Sequence, residues 1–176
     1  PLEMISVDEL IKCVCIASAN DAMYALSELI ATTNDNFIKM MNDKVKELKL
    51  INTNFVNVTG FDDENHYTCA KDMASIALEL LKYEDIILPY TSMYDSHIRN
   101  DSSNPFWLVN TNKMVKFYSG MDGLKTGYTS KAGFCLTSTA KRNDVRLISV
   151  IMKADSSANR NAMTKTLLDY GFSKIK

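Results

Sequence analysis

Two short segments of this chain hold residue types that do chemistry together. One is Asp122-Gly-Leu-Lys-Thr-Gly-Tyr-Thr129. Within it Lys125 brings a positive charge and Thr126 a hydroxyl. Gly127, with no Cβ, lets a ligand come close to a strand. Read alone, the segment is equally a turn that happens to contain Gly123 and Gly127. The other is Ser18-Ala-Asn20, at an expected helix-to-helix junction where side chains are free to point into a cleft. Ser and Asn are also ordinary N-caps. The same tripeptide recurs at Ser157-Ala-Asn159, where it is expected to cap the last helix, so Ser-x-Asn by itself carries little weight.

Other candidate clusters are weaker. Asp62, Asp63, Glu64 and His66 are metal-ligand types without a regular ligand spacing. A turn rich in Asx bonding explains them better. His97 has no obvious partner and is expected to be exposed. Cys13, Cys15, Cys69 and Cys135 form no Cys-x-x-Cys pair of the kind zinc sites use. Cys13 and Cys15, two apart, point to different faces of a helix. All four are expected to be reduced core cysteines.

The elements that must position these residues change character along the chain. Ser6 and Glu9 form a capping box ahead of Val7, Leu10, Ile11 and Val14, which recur at helical spacing. A second helix is expected after Asn20-Asp21, with Ala22, Ala25, Leu26 and Leu29 on one face. A third starts near Asn34 or Asp35 and carries Phe37, Met40, Met41, Val45 and Leu48. Its Lys39, Lys44, Lys46 and Lys49 are interleaved with Asp43 and Glu47, the pattern of a solvated face. Residues 51–67 are turn-rich. Thr68 is expected to cap a helix holding Met73, Ile76, Ala77, Leu80 and Leu81, and Pro89 lies near the end of that helical region. Residues 91–121, with Pro105 and Trp107, have mixed polarity and receive no assignment. Residues 134–141 and 145–152 are β-rich runs around Arg142-Asn143-Asp144, a β-hairpin. Lys125-Thr126-Gly127, just ahead of it, falls on an edge strand. A closing helix runs from about 157 to 170.

The expected fold class is therefore α+β, one domain over residues 1–176. A helical region covers about 1–110, and an antiparallel sheet with a covering C-terminal helix about 111–176. At 176 residues the chain can bury a core without disulfides or metals. Its 20 basic and 21 acidic residues give a net charge of −1, which excludes a nucleic-acid binder driven by bulk charge. No apolar run approaches the ~20 residues that span a bilayer, so no membrane anchor lies in this chain. It opens on Pro1 without a visible signal peptide, and is expected to be an excised or processed piece of a longer protein.

Taken together, the segments resemble the serine-type D-Ala-D-Ala carboxypeptidases, the low-molecular-mass penicillin-binding proteins. These share Ser-x-x-Lys, Ser-x-Asn and Lys-Thr-Gly motifs with the β-lactamases. The resemblance runs over nearly the whole chain. It includes Ser18-Ala-Asn-Asp-Ala22, Asn54-Phe-Val-Asn57 with Gly60 and Asp62, and His66-Tyr67. It continues through Asp122–Thr129, Ala132-Gly133, Arg146-Leu-Ile-Ser149 and Arg160 to Leu167-Leu168 and Gly171-Phe172. It implies a β-lactamase/penicillin-binding-protein-like fold with its N-terminal part missing. It also implies an acyl-enzyme that releases D-alanine from peptidoglycan stem peptides ending in D-Ala-D-Ala and is acylated by β-lactam antibiotics. No cofactor or metal is needed, and the location implied is extracytoplasmic, in a bacterial cell envelope. Asn57-Val-Thr59, a glycosylation pattern, is then a coincidence.

The resemblance also assigns roles. Ser18 relays the leaving-group proton, Asn20 orients the substrate amide, and Lys125 contributes to proton transfer and to the positive field. Thr126 hydrogen-bonds the terminal carboxylate, beside Gly127. The backbone N–H of Tyr128 is one oxyanion donor, and Arg160 anchors the carboxylate.

One family motif is out of place. Only 17 residues precede Ser18, and none forms Ser-x-x-Lys. The motif needs a helix, where i and i+3 share a face. Ser138-Thr-Ala-Lys141 falls on an expected strand, where an odd offset sends side chains to opposite faces. Ser173-Lys-Ile-Lys176 falls at the terminus. Both are read as coincidences, so the nucleophile and its base are expected to be absent from this chain, which alone is inactive. Loss of that segment is also expected to leave an open sheet edge. Two alternatives are a class A β-lactamase-like hydrolase, for which no deacylating Glu motif is found, and a non-catalytic peptidoglycan-binding module.

Overall fold

The computed structural model describes residues 3–100 and 102–175. Pro1 and the Lys176 of the second Ser-x-x-Lys match lie outside them. The fold class is α+β, with seven α-helices and five strands among the described residues.

The capping box opens the first helix as expected: Glu9 N donates to Ser6 Oγ at 3.2 Å, and Ser6 N donates to Glu9 Oε2 at 3.1 Å. α1 (Val7–Lys12) runs into a π-helical turn, Cys13–Ala17, and α2 (Asn20–Ala31) follows after a two-residue break. On α2 the buried apolar face is Ala22 and Leu26 only; Ala25 and Leu29 point to solvent. α3 (Asn34–Glu47) starts at Thr33, whose Oγ1 accepts from Asn36 N at 3.2 Å. Its lysines pair with Asp43 and Glu47 on the exposed side, as the interleaved charges predict.

α4 (Ala70–Leu80) starts one residue later than expected. Cys69, not Thr68, stands at its N-cap, because the Thr68 hydroxyl is taken by Thr53 Oγ1 at 2.8 Å. A 3₁₀ turn, Leu81–Tyr83, leads into α5 (Glu84–Thr91), which contains Pro89.

The unassigned stretch 91–121 holds a second hairpin and a short helix. β1 (Asp95–Ile98) pairs antiparallel with β2 (Phe106–Val109), and α6 spans Met114–Phe117. Only Ile98 and Leu108 of that hairpin are buried, so neither strand shows an apolar alternation. His97 is exposed, yet it stacks on Trp107 across the pair, with centroids 6.4 Å apart.

The main sheet has the order β3-β4-β5, all antiparallel: β3 (Met121–Thr129), β4 (Gly133–Arg142) and β5 (Val145–Ala154). Asn143, at φ +52°, makes the tight turn between Arg142 and Val145. β4 is buried on both faces from Leu136 to Ala140. On one face Leu136 and Ala140 pack with Leu168 of α7 (Ser157–Lys174), Met114, Tyr118 and Met121. On the other, Arg146 binds Asp122 Oδ2 at 2.7 Å, Thr139 Oγ1 at 3.0 Å and Glu84 of α5 at 3.2 Å. The sheet thus lies between α7 and the α4–α5 layer.

The N-cap of α7 is Ser156, whose Oγ accepts from Asn159 N at 3.1 Å; Ser157 is the first helical residue, a correction of one position. In β4, Ser138 is fully buried and Lys141 is exposed, as an odd strand offset requires. No described helix is long and apolar enough to cross a membrane.

Candidate active site

The π-helical turn ends at Ser18, which sits in the left-handed region at φ +59°, ψ +40°. A non-glycine residue held there carries backbone strain, of about 1–3 kcal/mol by general experience. The left-handed conformation turns the chain out of the helix, and Ser18 and Asn20 both face solvent at the start of α2. Beneath them Ile16 is fully buried, packed with Cys13, Ala22, Ile98 and Leu108, so the turn has a rigid base.

The opposite wall is β3, an outer strand of its sheet. Its register pairs Lys125 with Thr137, Thr126 with Leu136, Gly127 with Cys135 and Tyr128 with Phe134. Lys125 reaches back across the groove: its Nζ donates to Ser18 Oγ at 2.7 Å and to Thr126 O at 2.9 Å. Burial pushes the Lys125 ammonium down to about 8; the Cys15 thiol nearby opposes this more weakly. Cys15 itself is pushed up to about 11, again chiefly by burial. An amine that loses its proton near pH 8 exchanges protons readily with a bonded hydroxyl, which is what acid–base work at neutral pH requires.

Ser18, Asn20, Lys125, Thr126, Gly127 and Tyr128 line one groove of about 830 Å³. That is within the size range of pockets for small ligands. A Cβ added at Gly127 would meet nothing nearer than Cys135 Cβ at 3.9 Å, so the space over this residue is open. Tyr128 is exposed and lies against Phe134, centroids 4.3 Å apart.

Arg160 stands apart from these six. It does not line the groove, it is only 6% exposed, and its Nε and Nη2 donate to Asn161 Oδ1 at 3.1 and 2.9 Å. Burial holds its guanidinium below the ordinary arginine range, with Cys135 opposing. Of the four cysteines, all free, Cys13 and Cys15 are buried; Cys69 and Cys135 are only half-buried, and Cys135 lines the groove.

The third wall is the turn-rich segment 51–67, and it is built by side chains bonding to backbone. Asn57 Oδ1 accepts from Gly60 N at 2.7 Å and Phe61 N at 3.1 Å. Buried Asp72 of α4 accepts from Asn52 N at 3.0 Å and Thr53 Oγ1 at 2.9 Å, which anchors the segment. His66 Nδ1 accepts from Val56 N at 3.2 Å, and burial lowers its proton affinity. Asp63 accepts from Asn65 N, and Asp62 accepts from Thr129 Oγ1 at 2.6 Å, fastening the segment to β3. Among the described residues no group of three or more His, Cys, Asp or Glu is placed to hold a metal ion.

Three positions in contact with these walls escape a sequence reading. Asn110 and Asn112 are each 1% exposed, and Thr111 between them is exposed. Thr111 N donates to Ile16 O at 3.0 Å, and Thr126 Oγ1 donates to Thr111 Oγ1 at 2.7 Å. The available signal was Asn at i and i+2, a pattern of local side-chain-to-backbone bonding.

The model of the D-alanyl-D-alanine carboxypeptidase family matches residues 1–156. The chain is 47% identical to D-alanyl-D-alanine carboxypeptidase DacF of Bacillus subtilis over 176 residues, 100% of this chain and 45% of that protein. It is 35% identical to DacA of Escherichia coli K12 over 173 residues, 98% of this chain and 42% of that one. It spans less than half the length of these two relatives. Among solved structures, penicillin-binding protein D2 from Listeria monocytogenes, in its ampicillin-bound form, aligns with a TM-score of 0.86. The identity is 30%, over 96% of this chain and 68% of that chain.

Proposed function

Because the chain belongs to the D-alanyl-D-alanine carboxypeptidase family, we propose that its groove receives the C-terminal D-Ala-D-Ala of a peptidoglycan stem peptide. The complete enzyme then removes the last D-alanine outside the cytoplasm of a bacterium. The observation that carries this reading is the Lys125 Nζ to Ser18 Oγ hydrogen bond of 2.7 Å, which joins the two walls at the groove.

In this reading a serine outside the present sequence attacks the carbonyl of the penultimate D-alanine and gives its hydroxyl proton to a base that also lies outside the present sequence. The C–N bond breaks, and the amine of the last D-alanine takes a proton through Ser18, which Lys125 resupplies. Asn20 orients the substrate amide. The backbone N–H of Tyr128 is one of the donors to the developing oxyanion. Thr126 donates a hydrogen bond to the terminal carboxylate over the open space at Gly127, in the positive field of Lys125. Water then hydrolyses the acyl-enzyme. β-Lactams enter the same groove and acylate the same external serine.

The test uses two proteins. Intact-mass spectrometry of the present chain with benzylpenicillin is expected to show no adduct. The same chain joined behind the N-terminal segment of Bacillus subtilis DacF is expected to take up one equivalent and to release D-alanine from a D-Ala-D-Ala peptide. A stoichiometric adduct on the present chain, or a joined protein that folds but does neither, refutes the reading.

A further inference from the structure

The geometry points to Thr111 as a positioning residue: it holds the Thr126 hydroxyl for a terminal carboxylate and ties it to the backbone that sets Ser18. This inference rests on the reading above and names a residue that neither short motif contains.

The backbone at Thr111 is held from both sides. Asn110 Nδ2 donates to Met93 O at 2.7 Å and to Thr91 O at 3.2 Å, and Asn110 N donates to Tyr94 O at 2.8 Å. Asn110 Oδ1 accepts from Asn112 N at 2.8 Å, and Asn112 Oδ1 accepts from Met114 N at 3.2 Å. These bonds join the end of α5, the start of β1 and the start of α6 at one point. The asparagines do the structural work there, and the Thr111 side chain is left exposed. Among the described residues its hydroxyl has one partner, Thr126 Oγ1.

The contacts form a closed ring. Thr111 N binds Ile16 O, two residues before Ser18; Ser18 Oγ accepts from Lys125; Thr126 follows Lys125 in the strand; and Thr126 Oγ1 returns to Thr111. Each hydroxyl has one proton and can also accept. When Thr126 turns its proton toward a carboxylate, Thr111 can reverse and donate to the oxygen that Thr126 has freed. A hydroxyl permits this reversal and a methyl does not. The consequence is selective: an anionic terminus gains from the pair, and a neutral amide terminus gains little.

The test measures dissociation constants of the present chain for N-acetyl-D-Ala-D-Ala and for its C-terminal amide by NMR titration. Thr111→Val, nearly isosteric and at an exposed position, is expected to weaken the acid about three- to tenfold, the range for one hydrogen bond. The amide is expected to change less than twofold, and Thr111→Ser to restore the acid. Thr111→Val added to Thr126→Val is expected to cause no further loss. Equal loss for acid and amide, additive losses in the double variant, or no rescue by serine overturns the inference. If the unaltered chain does not prefer the acid over the amide, both the inference and the reading beneath it fail. If it does prefer the acid and Thr111→Val keeps that preference, only the inference fails.

Discussion

Lys125→Met is expected to stabilise the folded chain at neutral pH while removing the group the groove is built around. Burial lowers the proton affinity of Lys125 from 10.5 to about 8. The folded state therefore carries a penalty for keeping the ammonium charged. At 1.36 kcal/mol for each tenfold change in proton affinity, that penalty is about 3 kcal/mol. Methionine fills a similar volume without a charge. It also loses the bonds to Ser18 Oγ and Thr126 O, together worth about 1–3 kcal/mol. The net gain expected at pH 7 is about 1 kcal/mol, or about 2–4 °C in melting temperature for a chain of this length.

The pH dependence tests whether the difference comes from the charge on Lys125. Below pH 8 both the folded and unfolded states hold the Lys125 proton, and the penalty is present in full. Between about 8 and 10.5 only the unfolded state holds it, so the stability of the unaltered chain rises with pH relative to the variant. Above 10.5 the penalty is gone and the unaltered chain is the more stable of the two. The assay is urea unfolding of both proteins at pH 7, 8, 9 and 10, compared as a difference so that other titrating groups cancel. A variant less stable at pH 7, or a difference that does not change between pH 8 and 10, refutes a lowered proton affinity of Lys125 in the folded state.

Two further outcomes follow from the glycines. Gly127→Ala meets only Cys135 Cβ at 3.9 Å and needs no unusual backbone. Its melting temperature is expected to match the parent within about 2 °C, while affinity for N-acetyl-D-Ala-D-Ala falls at least tenfold; retained binding would show that ligands do not approach over this residue. Gly120→Ala is a control of opposite kind. Its φ is +85° and the new Cβ would stand 2.3 Å from Lys141 O, so a loss of about 2 kcal/mol or more is expected in urea unfolding, and an unchanged midpoint would contradict the packing of β3 on β4.

Much of the scaffold was legible in the residues. Ser6 with Glu9 announced a helix start because both halves of a capping box lie within four positions. The β4–β5 hairpin was legible for the same reason, since its strands and the Asn143 turn are adjacent in sequence. Thr68 misled because its hydroxyl found Thr53, a partner outside the local window. The β1–β2 hairpin was silent because only one residue in each strand is buried. Leu29 misled because periodicity marks a face of a helix and not what stands against it; α2 buries Ala22 and Leu26 and leaves Leu29 in solvent.

The candidate groups divide along the same line. Residue type and order offered Ser18, Asn20, Lys125, Thr126 and Gly127 as candidates, and the edge position of the strand, because a hydroxyl, an amide, an amine and a missing Cβ are properties of single residues; the family resemblance gave them their weight and added Tyr128. Their meeting was decided by the tertiary structure, which brings Lys125 to a serine 107 positions earlier. So were the lowered proton affinity of that lysine, the absence of Arg160 from the groove lining, and the link through Thr111. Burial and hydrogen bonding depend on which distant segments surround a group, and no local pattern records those neighbours.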